Sequence, residues 1–189
     1  MANDNIVIVG TGIAAINAVK AIREHDQAVT IDLLGAEPFY PYNRMKLSKS
    51  LFDQLNEDQI LLQKKEWYQQ NKVNFQREAK VQKVDTVNQK VLLDNGREVA
   101  YGKLLIATGA GNRVPPIDGI EVLNASTLRS LNDARAIHDA IATKQCVLHI
   151  GGGIQGLETA WILRQHQKQV IIAEIQPRLM PNQLDQRSS

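Results

Sequence analysis

Cysteine is nearly absent from this 189-residue chain: Cys146 stands alone. One cysteine excludes an internal disulfide, and none is needed, because a compact chain of this length buries roughly 70% of the surface its unfolded form exposes. Charge of one sign is lacking too. Lys and Arg total 22 against 20 Asp and Glu, a net charge of +2, and basic residues cluster no further than pairs such as Lys64 and Lys65. That argues against nucleic acid as a main partner. No segment approaches the ~20 apolar residues that span a bilayer, and the opening MANDNIVIVG has no basic region ahead of a long apolar stretch. A cytoplasmic protein with no membrane partner is therefore expected. The four histidines, His25, His138, His149 and His166, stand at no ligand spacing to one another or to cysteine, so no metal site is expected.

What is present is the balance of a globular protein, 43% apolar and 22% charged, enough for one domain or two small ones. Residues 6–9 form an apolar run that enters Gly10. Ile13, Ile16, Val19 and Ile22 follow at helical spacing, and residues 29–34 form a second apolar run. This is a strand, glycine turn, helix and strand at the ~30-residue size of a βαβ crossover, and near-continuous apolar strands suit a parallel sheet covered on both faces. Residues 38–51 are irregular and rich in Pro, Tyr and basic side chains, and a short helix containing Trp67 and Tyr68 is expected within 55–72. Between 73 and 105 the pattern shifts to short alternating runs, with Asn95-Gly96 as a hairpin turn. Residues 103–109 read as a further buried strand running into glycine. Residues 110–119, AGNRVPPIDG, have no helical period and read as a linker. A helix over 130–141, a strand over 146–150, a turn over 151–156, a helix over 157–167 and a strand over 170–173 then repeat the order of residues 6–34.

The repeat centres on two turns, Gly10-Thr11-Gly12-Ile13-Ala14-Ala15 and Gly151-Gly152-Gly153-Ile154-Gln155-Gly156, which match G-x-G-x-x-A and G-x-G-x-x-G. In such turns the first Gly permits the tight bend, the second lets a pyrophosphate approach the backbone, and the third small residue lets helix pack on strand; free amides at the helix N-terminus hold the phosphates. An acid follows each at the offset suited to a ribose hydroxyl, Glu37 and Glu174. Asp32 rivals Glu37, although it lies inside an apolar strand whereas Glu37 follows the strand exit. Glu174 also reads as a solvated strand-end charge. A carboxylate with no adjacent arginine would repel a 2'-phosphate, which favours NADH over NADPH.

With residues 105–110 (LIATGA) and 128–134 (LRSLNDA), these turns make the chain resemble, essentially end to end, the N-terminal part of the FAD-dependent pyridine nucleotide-disulfide oxidoreductase superfamily. Residues 37–44 (EPFYPYNR) with Leu47-Ser48-Lys49 are similar to rubredoxin and ferredoxin reductases and to the flavin domain of nitrite reductase large subunits, and residues 179–186 lean toward the last. The resemblance implies an α/β fold of two Rossmann-like, three-layer domains, the first carrying a small β-meander or hairpin. An incomplete FAD-binding domain would span 1–112, a linker 113–122 and an incomplete NAD(P)H-binding domain 123–189. It implies FAD contacts from Gly10, Gly12, Ala14, Ala15, Glu37, Pro38, Arg44, Lys49, Val81, Ala107, Thr108 and Gly109. NADH contacts would come from Gly151, Gly153, Ile154, Gln155, Gly156 and Glu174. Catalytic roles fall to Lys49 and Glu158, a pair expected near the flavin N5, with an exposed Lys49 and a dipole-complementing Glu158 as the plainer alternative.

Hydride would pass from NADH to flavin, and electrons then to a separate acceptor: rubredoxin, ferredoxin or a sirohaem nitrite reductase. Residues 42–48 hold none of the cysteines that relatives with thiol chemistry need there, and Cys146 is expected as a small buried hydrophobe. Family members are longer, so the resemblance implies a truncated chain lacking the segment that returns to the FAD domain and the interface domain. Two expectations stay open: a reductase subunit helped by a homodimer mate or complementing chain, and an inactive dinucleotide-binding fragment.

Overall fold

A computed structural model describes residues 4–53, 56–121 and 125–188. The junction at 122–124, where the linker and second-domain assignments meet, lies outside the described residues. The chain divides into two compact units, Met1–Asn43 with Asn56–Gly111, and Arg44–Leu55 with Asn112–Ser189. Residues 44–55, which the sequence reading kept within 1–112, thus group with the second unit.

In the first unit, β1 (Ile6–Val9), α1 (Ile13–His25) and β2 (Ile31–Leu34) form the expected βαβ crossover. Two short helices follow, α2 (Glu57–Ile60) and α3 (Lys65–Gln70), and then β3 (Val73–Gln76), β4 (Val81–Asp85), β5 (Lys90–Leu93), β6 (Glu98–Ala100) and β7 (Lys103–Ile106). The parallel sheet has the order β3-β2-β1-β7, and β4-β5-β6 form a separate antiparallel meander. Strand alternation sends Ile8, Ile31 and Leu33 into a cluster with Ala15, Ile16 and Val19 of α1 and Tyr68 of α3. Val7, Val9 and Leu34 point the other way and meet Val91, Leu93 and Tyr101 of the meander region. Helices, parallel sheet and meander therefore make three layers, and each fully buried Ile, Leu or Val contributes roughly 1.5–3 kcal/mol relative to exposure.

Arg23, buried near the end of α1, donates to the carbonyls of Asn71, Asp26 and Lys72 at 2.7, 3.0 and 3.2 Å. These bonds satisfy its charge and tie α1 to the turn that launches β3. Two expectations change here. Residues 73–75, grouped by their alternation with the hairpin region, form the outer strand of the parallel sheet instead. The strand over 103–106, at the outer edge of the sheet, is largely exposed, with Leu105 and Ile106 both open.

The second unit contains α4 (Leu131–Ala142), β8 (Cys146–Ile150), α5 (Ile154–Gln165) and β9 (Gln169–Ala173). A capping box starts α4: the Ser130 hydroxyl accepts from the Asp133 amide and the Asp133 carboxylate accepts from the Ser130 amide. β8 and β9 pair in parallel from Cys146↔Gln169 to Ile150↔Ala173. Leu148, Ile150 and Ile171 are exposed on this two-stranded sheet. Cys146 is exposed as well, contrary to its expected burial, because the strand face it starts carries no covering layer among the described residues.

Candidate functional site

Parallel register brings the chemistry of the first unit to one edge. Val9 pairs with both Leu34 and Ile106, and Leu34 with Gln76, so the strands end together. Beyond that edge lie Gly10, Gly35, Glu37 and residues 107–109, the crevice where open α/β sheets bind ligands. Gly10 has φ +113°, and a Cβ there would lie 2.6 Å from the Ala107 carbonyl carbon and 2.9 Å from the Thr108 nitrogen. Only glycine permits this close approach of β1 to the 107–109 segment. Gly12, by contrast, faces open space: nothing lies within 4 Å of a Cβ built there. It is the N-cap of α1, which has no side-chain cap and no acid in its first turn. Ala14 is exposed and Ala15 fully buried, so the third small residue does the packing. These features fit the phosphates of a dinucleotide, set against uncapped amides at the positive end of a helix.

The two rival acids separate. Asp32 is buried in mid-strand and accepts from Asn5 at 3.0 Å and Asn74 at 2.6 Å. Glu37 stands past the strand end and accepts from the Tyr42 hydroxyl at 2.6 Å. Asp32 thus serves the sheet, while Glu37 lies beyond the strand ends. Pro38 follows it, its carbonyl accepting from Arg77. Val81 opens β4 and packs partly buried against the meander-side cluster. Asp32's occupation was hidden in the sequence because its amide partners lie 27 and 42 residues away.

The second unit repeats this plan. Gly151 has φ +106°, and its amide donates to Ala173 at 2.8 Å, closing the turn onto β9. Gly153 caps α5 with no side-chain cap bond, no acid in the first turn and open space at its Cβ position. A Cβ on Gly156 would collide with the Gly151 carbonyl and lie 2.6 Å from His149 Nε2, so glycine there lets α5 sit on β8. Burial pushes the His149 imidazole below its ordinary value. Ile154 is exposed, whereas the Gln155 amide donates to the Leu128 carbonyl at 3.1 Å.

Glu174 Oε2 accepts from the Gly152 amide at 2.6 Å, and Oε1 from the Gln176 amide at 2.9 Å. Bonds from Gln176 first and Gly152 second hold its carboxyl below the usual carboxylate range. Arg178, the next cation along the chain, has its guanidinium on the carbonyls of Leu184 and Pro181 at 2.5 and 2.7 Å. The charge at this strand end is therefore negative.

Arg44, Lys49 and Glu158 all belong to the second unit. Lys49 Nζ lies 3.4 Å from Glu158 Oε1, so the expected pair is brought together, with 58% and 32% of the side chains exposed. The sequence reading gave Ser48 no role beyond its place in Leu47-Ser48-Lys49, yet its hydroxyl donates to Glu158 Oε2 at 2.5 Å. Arg44 donates to the Arg129 carbonyl at 3.0 Å. An ion pair this exposed contributes about 0–1 kcal/mol. Leu47 and Leu51 are fully buried at about 1.5–3 kcal/mol each, so burial and not the pair orders this segment. Among the described residues no group of three or more His, Cys, Asp or Glu could hold a metal ion, and no helix is long and apolar enough to cross a membrane.

A sequence profile described as pyridine nucleotide-disulphide oxidoreductase matches residues 4–189. The chain is 34% identical over 176 residues to rubredoxin-NAD(+) reductase of Pseudomonas putida, covering 93% of this chain and 46% of that protein. It is 33% identical over 186 residues to nitrite reductase [NAD(P)H] of Bacillus subtilis (strain 168), covering 98% and 23%. Among solved structures, the ferredoxin reductase for the CYP199A2 system from Rhodopseudomonas palustris superposes with a TM-score of 0.92 at 26% identity, covering 99% of this chain and 46% of that one. The chain thus spans less than half the length of these relatives.

Proposed function

The chain belongs to the pyridine nucleotide-disulphide oxidoreductase family, and on that footing we propose that it is the dinucleotide-binding part of a flavin-dependent NADH reductase. FAD would occupy the first unit and NADH the second. One observation carries this reading: each unit ends its parallel strands at a glycine turn with open space before its second Gly of the G-x-G, an uncapped helix N-terminus and an acid past the next strand.

Gly12 and Gly153 would let the pyrophosphates reach the helix amides, and Glu37 and Glu174 would accept from ribose hydroxyls. Glu174, held ionised by its amide bonds, would repel a 2'-phosphate, and Arg178 is engaged elsewhere, which supports NADH over NADPH. Bound FAD would supply the redox chemistry, taking two electrons as hydride and releasing them singly or together. Glu158 would hold the Lys49 ammonium in position, the pair that the family resemblance assigns to catalysis. Residues 42–48 contain no cysteine, so electrons would go directly to a separate protein or domain. The names of the relatives support rubredoxin, a ferredoxin or a nitrite reductase as the class of acceptor.

The test is a flavin titration of the purified chain, followed by NADH under anaerobic conditions. A bound flavin spectrum that bleaches with NADH supports the reading; a chain that takes up neither nucleotide overturns it. The exposed Leu148, Ile150 and Ile171 favour a second reading, a dinucleotide-binding chain without turnover unless another segment or copy covers that face. Flavin uptake without bleaching would favour it.

A further inference from the structure

Residues 44–53 are fastened to the rest of the second unit along their whole length. Arg44 donates to the Arg129 carbonyl at 3.0 Å, and Ser48 donates to Glu158 at 2.5 Å. His138 Nδ1 bonds the Leu51 carbonyl at 2.6 Å, and the Phe52 ring stacks on His166 with centroids 3.8 Å apart and planes 8° from parallel. Leu47, Ser48 and Leu51 are buried, whereas Lys49 projects outward. The segment is short of regular structure, with one 3-10 turn over Arg44–Lys46 and local bonds from the Leu47, Ser50 and Asp53 amides. Its shape is thus set by partners 85 to 114 residues away.

We propose that residues 44–53 are a clasp, and that Ser48 and His138 are positioning residues that hold Lys49 against Glu158. Ser48 occupies one carboxylate oxygen of Glu158 and so presents the other to Lys49. His138 fixes the Leu51 carbonyl two residues beyond Lys49, which limits the swing of the backbone that carries it. The Leu51 carbonyl can only accept, so Nδ1 carries the proton. That the held pair serves a flavin rests on the reductase reading; the clasp itself does not.

Hydrogen exchange read by mass spectrometry on the whole chain, without nucleotide, tests this, together with the labelling rate of Lys49 by an amine-reactive ester. In the unsubstituted chain residues 44–53 exchange well below the irregular residues 112–117. His138→Leu raises exchange of 44–53 about tenfold and speeds Lys49 labelling several-fold, leaving β8 and α5 unchanged, and His138→Asn, which can place an N–H near Nδ1, restores both. Ser48→Ala speeds Lys49 labelling and Ser48→Thr restores it. Exchange of 44–53 as fast as 112–117, no effect of His138→Leu, or an Asn or Thr variant as loose as its Leu or Ala counterpart overturns the proposal. If His138→Leu unfolds the unit, the unsubstituted chain, His138→Asn and the Ser48 pair decide by the same criteria. None of these readouts needs flavin, so their failure is separate from failure of the flavin titration.

Discussion

Two glycines two residues apart should respond to alanine in opposite ways. At Gly10 the backbone has φ +113°, which L side chains rarely adopt, and the new Cβ would lie 2.6 Å from the Ala107 carbonyl carbon. Strained dihedrals of this kind cost of order 1–3 kcal/mol, and overpacking a close contact about 1–3 kcal/mol more. Against a typical domain stability of about 5–15 kcal/mol, Gly10→Ala should remove roughly 2–6 kcal/mol and loosen β1 from the 107–109 segment. At Gly12 the dihedrals are φ −80° and ψ −176°, which any residue adopts, and the Cβ meets nothing. The stability change there should be about 1 kcal/mol or less, the difference between Gly and Ala at an N-cap. The added methyl would instead fill the space a pyrophosphate uses. Urea unfolding followed by fluorescence and far-UV circular dichroism gives the stabilities, and a flavin titration gives the affinity. Gly12→Ala should fold normally and bind FAD at least tenfold more weakly. A Gly12→Ala chain as destabilised as Gly10→Ala, or one that binds FAD like the parent, would refute the assignment of structural work to Gly10 and ligand work to Gly12.

Glu174→Gln should weaken NADH binding while leaving FAD uptake unchanged, measured by separate titrations; equal loss of both would mean the two turns are misassigned. Because the Glu174 carboxyl is held below its unfolded value, its contribution to stability is present above about pH 4.5 and lost as pH falls through the folded value, so the acid limb of a melting profile should flatten in the Gln variant. His149 behaves in the same direction: burial lowers its imidazole, so the second unit should lose stability below about pH 6.5 as the unfolded chain takes up the proton, and His149→Gln should reduce that slope. Tyr68 has a buried hydroxyl with no partner among the described residues, and burial raises its phenol. Tyr68→Phe should raise the urea midpoint by the equivalent of about 1 kcal/mol, and a lower midpoint would show that the hydroxyl is satisfied.

The βαβ crossovers and glycine turns were legible because their information is local. Apolar runs such as residues 6–9 and 146–150, helical spacing in between and Gly at fixed offsets all lie within about 30 residues. The Ser130–Asp133 cap, though equally local, was not read from the sequence and emerged with the structure. The place of β3 was not local, because alternation in Val73-Asn74-Phe75 suits a hairpin strand and an outer parallel strand equally; it is set by pairing with Ile31–Leu34, some forty residues earlier. The exposure of Cys146 was also illegible, since an apolar strand reads as buried until its sheet is known to have two strands.

By itself, then, the sequence determined the repeated turn chemistry, the family and the absence of a cysteine pair near residues 42–48. Strand position already favoured Glu37 over Asp32, and tertiary structure added the reason, since Asp32 is taken by Asn5 and Asn74. Tertiary structure alone decided that residues 44–53 belong with a helix more than a hundred residues onward, through the contact of Ser48 with Glu158. The physical reason is the same in both cases: a polar side chain's role depends on which partner reaches it, and distant partners leave no period or spacing in the chain.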